Sequence, residues 1–166
     1  MKKFLSVLSV IFILFLCACG KPGKYNLTEN TFFLVMTNMQ YYPAQYVGAD
    51  IEFDAFTYEL TDINGEKYIC VVRQCSAGYG CKCGKDTVIG FLIEYDGQIP
   101  APRNQSTPDN DKTWVHVKGT LPNDEKTDIQ IYAIDGAVET ITFLSFKAET
   151  LEIIEDYSGL HYYVDK

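Results

Sequence analysis

Apolar and polar residues alternate with period two over most of this chain, and that spacing predicts strands. Ile51, Phe53 and Ala55 alternate, and the phase then changes to Phe56, Tyr58 and Leu60, which predicts a bulge that bends the strand 51–60. Asn64-Gly65 follows, a pair suited to a two-residue hairpin turn, so the next strand is expected over Lys67 to Gln74. Thr87 to Tyr95 is apolar on both parities, as in a strand buried on two faces, and Gly90 in its middle permits a close backbone approach. Asp96 to Lys112, with three prolines, reads as a long loop. Thr113 to Thr120 then alternates with Val115 and Val117 inward.

A second hairpin is expected from Asp128 to Ile134, turning at Asp135-Gly136 and returning over Glu139 to Phe146, with Leu151 to Ile154 pairing again. Thr31 to Gln40 is the best helical candidate before the sheet, and it stops near Pro43. The fold predicted is mainly β, a small OB-like Greek-key barrel of five to six strands preceded by a short helix. A sandwich of two short sheets fits nearly as well. Aromatic residues, at 14% with 12 tyrosines, agree with a strand-rich chain.

The first residues change the picture from fold to location. Lys2 and Lys3 precede an apolar run, Phe4 to Leu16, which is shorter than the roughly 20 residues of a membrane-spanning helix. Residues 1–18 are therefore expected to be an export signal. Leu16-Cys17-Ala18-Cys19 resembles the lipobox of bacterial lipoproteins, which implies cleavage before Cys19 and lipid on its thiol. The competing expectation is an ordinary signal whose cysteines are incidental. Residues 19–30 read as lipidated cysteine and tether, and 31–166 as one domain on the extracytoplasmic face of the membrane.

Loss of Lys2 and Lys3 leaves 12 basic against 22 acidic residues, a net charge of −10. Such a surface argues against nucleic acid and against anionic lipid headgroups as partners, since both are bound by clustered Lys and Arg.

Chemistry concentrates in one segment, where Cys70, Cys75, Cys81 and Cys83 lie within 14 residues among glycines. An exported chain with an even number of cysteines points first to disulfides. Four thiolates on a permissive loop also suit a structural zinc site, although the paired Cys-x-x-Cys spacing is missing. Cys70, on a strand, also fits an inert core thiol. These readings stay open.

No nucleophile elbow, zinc-protease helix, phosphate loop or calcium loop occurs, so the expectation is a non-enzymatic module. His116 and His161 read as surface residues. Trp114, Tyr58 and Tyr68 are candidates for a ligand face of the kind OB barrels present, against the commoner role of packing.

Met39-Gln40-Tyr41-Tyr42-Pro43-Ala44-Gln45-Tyr46-Val47-Gly48 and Trp114-Val115-His116-Val117-Lys118-Gly119 resemble motifs of small OB-like lipoproteins of unknown function from anaerobic bacteria. That layout is similar to the soluble component of a two-gene putative permease. The resemblance implies an OB-like fold, a location outside the cytoplasm and a membrane permease as partner, and leaves the ligand unnamed.

Overall fold

A computed structural model describes residues 23–75, 87–133 and 135–164. The expected export signal 1–18, Cys19, Cys81 and Cys83 lie outside the described residues. The elements in chain order are β1 (Lys24–Leu27), α1 (Phe32–Tyr41), a single 3-10 turn (Pro43–Gln45), β2 (Asp50–Thr61), β3 (Lys67–Cys75), β4 (Thr87–Glu94), β5 (Trp114–Thr120), β6 (Lys126–Tyr132) and β7 (Val138–Ile153).

All seven strands belong to one mixed sheet, so the two-sheet sandwich is not the arrangement found. Antiparallel pairs join β2 to β3, β3 to β4, β5 to β7 and β5 back to β2, and β4 pairs with β7 in parallel. The five strands thus close a barrel-like ring in the order β2-β3-β4-β7-β5, as an OB-like fold requires. Outside the ring, β6 forms a hairpin with β7 and β1 runs parallel to β2.

Strand β1 was not expected. The first residues of the sheet come from the stretch read as tether, because Lys24–Leu27 pairs with Asp50 to Phe53 and places Leu27 in the core. One buried side chain and a short ladder give too weak a sequence pattern to mark a strand beside two glycines and a proline.

The phase change in β2 has a different cause from a bulge. The register of β2 with β5 runs without interruption from Asp50 to Phe56, and that with β3 from Phe56 to Thr61. Instead, the two phases face two cores. Ile51, Phe53 and Ala55 point into the ring with Val71, Phe91, Val115, Val117, Leu144 and Phe146. Phe56 and Leu60 point to the other side, where Cys70, Val72, Trp114, Ile129 and Phe143 form a second cluster, with Tyr157, Leu160 and Tyr162 packed against it. The register irregularity lies elsewhere, between Lys118 and Gly119 in the β5–β7 ladder.

The inner core is closed by α1. Phe32, Met36 and Met39 recur at helical spacing and are fully buried, so one face of the helix plugs the ring. Phe53 contacts Phe91 at 5.7 Å and Phe146 at 5.5 Å between ring centroids, edge-on or tilted as aromatic quadrupoles prefer. Gly90 fulfils its expectation: a Cβ there would lie 2.0 Å from the Val71 carbonyl oxygen.

Both hairpins form, but with longer turns than two residues. Gly65 has φ +86° while Asn64 keeps a negative φ, and the Gly65 N–H donates to Asp62 O at 3.0 Å. This is a turn followed by a left-handed glycine, the usual three-residue hairpin loop. Gly136 (φ +81°) repeats it, its N–H donating to Ala133 O at 2.9 Å.

Candidate ligand-binding cleft

The sheet connectivity brings the two hairpins together. The Ile63 N–H donates to Gln130 O at 2.9 Å, so the β2–β3 turn is fastened to strand β6. Asp62 holds the turn in shape, its Oδ1 accepting from the N–H of Asn64 at 2.8 Å and of Glu66 at 2.7 Å. Between the hairpins opens a cleft of about 290 Å³, lined by Asp62, Asn64, Tyr68, Asp128, Gln130 and Thr140. Asp128 is held from β7, the Thr142 hydroxyl donating to its Oδ1 at 2.6 Å. The Tyr68 phenol titrates above its usual value, chiefly because it hydrogen-bonds the Glu66 carboxylate.

Two carboxylates, two carboxamides, a hydroxyl and one aromatic ring give this cleft many hydrogen-bonding groups and negative charge. It suits a hydroxyl-rich neutral ligand or a cationic one and opposes phosphates.

Of the three aromatics expected on a ligand face, only Tyr68 lines the cleft. Trp114 is 1% exposed, which corrects its assignment. Its ring packs edge-on against Phe56 and stacks on Tyr157, and its Nε1 donates to Asn110 O at 3.1 Å. Its parity is that of the second core, and the C-terminal segment covers it. Tyr58 is half-buried against the same cluster, and its phenol is pushed above its usual pKa by burial first and then by Cys70.

The cysteines divide. β3 pairs with β4 without interruption from Cys70 to Cys75, and residues five apart on a regular strand face opposite sides. Cys70 is a free thiol in the second core, opposite Tyr58 and Leu92, and burial pushes its pKa up to about 12. A disulfide needs its two thiols together and a tetrahedral zinc site needs all four, so Cys70 and Cys75 do not share either one from opposite faces of β3. Cys75 is buried at the end of β3, and Cys81 and Cys83 lie outside the described residues.

His116 stands on the outer face of the ring, and it is more than a surface residue. Its Nδ1 lies 2.7 Å from Asp54 Oδ1, directly cross-strand, and its Nε2 lies 3.2 Å from Glu52 Oε1. Burial lowers its pKa, but the hydrogen bonds and charges of Asp54 and Glu52 outweigh that and raise it above the usual value. With both ring nitrogens facing carboxylates, the surroundings favour the protonated imidazole over the neutral one. His161 is exposed, as expected.

Apart from Tyr68, the cleft residues are not legible in the sequence, because the Ile63–Gln130 contact spans two hairpins far apart in the chain. The two turn signals were legible; their meeting was not. The His116 group had one legible signal, since strands 51–55 and 113–117, if paired, bring an acidic residue opposite the histidine.

UPF0703 protein YcgQ of Bacillus subtilis (strain 168) is 28% identical over 104 residues, 61% of this chain and 31% of that protein. The chain therefore spans about a third of the length of the curated relative it matches. No solved structure matches it. The family model of the DUF1980 C-terminal domain matches residues 18–142, most of the elements described above, and the chain belongs to that family.

Proposed function

We propose that this protein is a lipoprotein held on the extracytoplasmic face of the bacterial membrane through Cys19, and that its OB-like domain is a non-catalytic binding or accessory module. The cleft between the two hairpins is its ligand site. The observation that carries the binding role is the position of that cleft. It lies where the turn between the first two ring strands meets the hairpin inserted before the last, the side on which OB barrels take oligosaccharides and other extended ligands. The non-catalytic reading rests on the sequence, which holds no nucleophile elbow, zinc-protease helix, phosphate loop or calcium loop.

Titration with neutral oligosaccharides, followed by backbone NMR, tests the assignment. Shifts confined to residues 62–68 and 128–140, lost in Asp128→Ala, are expected; shifts centred on another face, or shared equally by the variant, overturn it.

The alternative is an extracytoplasmic metal-binding or permease-accessory protein using the cysteine segment. With Cys70 in the second core, any zinc there rests on Cys75, Cys81 and Cys83 with a ligand from elsewhere. Zinc content unchanged by Cys70→Ala and lost in Cys81→Ala would favour it. A permease as partner is implied by the resemblance of the Trp114–Gly119 strand and the Met39–Gly48 segment to that two-gene system.

A further inference from the structure

From Asn30 to Ala49 the chain carries no charged side chain, although 22% of all residues are charged. That stretch contains α1 and the 3-10 turn. The inner face of α1 is spent on the core, through Phe32, Met36 and Met39. Its outer face carries the uncharged Asn38 among large apolar side chains. Leu34 and Tyr41, seven residues apart on one stripe, are each 72% exposed, and the adjacent Tyr42 is 57% exposed. Scattered apolar surface residues are ordinary, but a helix whose inner face fills the core and whose outer face also exposes large apolar side chains without any charge usually has something covering it.

This stripe is connected to the point where the chain enters the domain. Asn38, midway along the stripe, accepts a hydrogen bond from the Tyr46 hydroxyl at 2.9 Å. The Tyr46 ring contacts that of Tyr25 at 5.0 Å between centroids. Tyr25 lies on β1, whose entry is fixed by the Asp50 N–H donating to Gly23 O at 3.0 Å. Gly23 follows Cys19 by only four positions, a reach of at most about 14 Å.

We propose that this charge-free face, Leu34, Tyr41 and Tyr42 with Tyr25 and Tyr46 beside it, is the surface by which the domain rests on the lipid headgroups. The inference rests on lipidation of Cys19. Tyrosine suits the site because its ring is apolar and its hydroxyl stays wet, which is why it is enriched at membrane interfaces. Electrostatics select the same face. The exported chain has a net charge of −10, and the negative surface potential of anionic lipids repels carboxylates. The charge-free stretch approaches without that repulsion. The short tether keeps it at high local concentration, so a weak contact suffices.

The test uses the full lipidated chain in vesicles of phosphatidylethanolamine and phosphatidylglycerol that carry a mass-tagged acyl chain. The photoreactive p-benzoylphenylalanine replaces Leu34, Tyr41 or, as a control, Tyr132, which is exposed on β6. All three positions are solvent-exposed, and Tyr42 serves if one variant misfolds. Lipid adducts at 34 and 41 and none at 132 are expected. With labelled lipid present on Cys19, absence of adducts at 34 and 41, or equal adducts at 132, overturns the membrane-facing assignment and leaves the anchor standing. Adducts to a protein at 34 and 41 overturn it also, giving the face to a partner or a second copy. A chain without lipid on Cys19 is a distinct result: the anchor itself fails and this inference with it.

Discussion

Arg73 and Glu29 form a two-pronged ion pair, Nη1 to Oε1 at 2.7 Å and Nη2 to Oε2 at 2.8 Å, that ties the segment ahead of α1 to the middle of the ring. The guanidinium is 1% exposed and lies over the rings of Phe32 and Trp114. It also donates to the carbonyls of Asp54 and His161, while the His161 N–H donates to Glu29. One buried cation thus joins the inner core, the second core and the C-terminal segment.

Removing Glu29 leaves that cation without its counter-charge. Glu29→Gln should cost about 3 kcal/mol at neutral pH, the lower end for breaking a buried pair because Glu29 is partly exposed. Burial tends to raise the Glu29 pKa, but Arg73 and the His161 N–H outweigh it and hold it below its unfolded value of 4.5. A depressed carboxylate stabilises the fold above its unfolded pKa, and the contribution disappears as pH falls through the folded one. Urea melts of wild type and variant should therefore converge in acid; a constant gap would contradict the pair's role.

His116 behaves with the opposite sign. Its pKa is raised by Asp54 and Glu52 against the effect of burial, so its contribution is fully present below its unfolded value of 6.5 and is lost as pH rises through the folded one. The ring is 38% exposed, and solvent screening keeps the effect under about 1 kcal/mol. NMR titration of the imidazole should give a lower pKa in Asp54→Asn than in wild type. Equal values would contradict the ion-pair account.

Gly90 cannot carry a side chain without moving β3, since the first atom would meet the Val71 carbonyl. Gly90→Ala should destabilise by about 2 kcal/mol, within the range for forced overpacking. A melt within error of wild type would show that the ring has slack there.

Cys70 should resist alkylation in the native protein and react fully in urea, because burial keeps its thiol protonated. Mass spectrometry after iodoacetamide treatment reads this directly. Rapid native labelling of Cys70 would return it to the reactive set.

Six of the seven strands and the helix were legible because each carries its own period: Val115 and Val117 in β5, for example, or Phe32, Met36 and Met39 in α1. Non-local facts were not. The shift from Ala55 to Phe56 looks like a bulge in one dimension and is a change of core in three, visible only once Tyr157 and Tyr162 fold back over Trp114 and Phe56. Strand β1 depends on parallel pairing to a partner more than 20 residues away, which leaves no local signature. The proximity of Cys70 to Cys75 in sequence suggested a common site, and the pleat of β3 separates them.

Lipid on Cys19 is the claim from which location, tether and orientation all follow. Cells grown with a labelled fatty acid, expressing wild type or Cys19→Ala, test it in one gel. Label on the wild-type chain and none on the variant is the predicted result. Equal labelling, or none on either, would contradict the account.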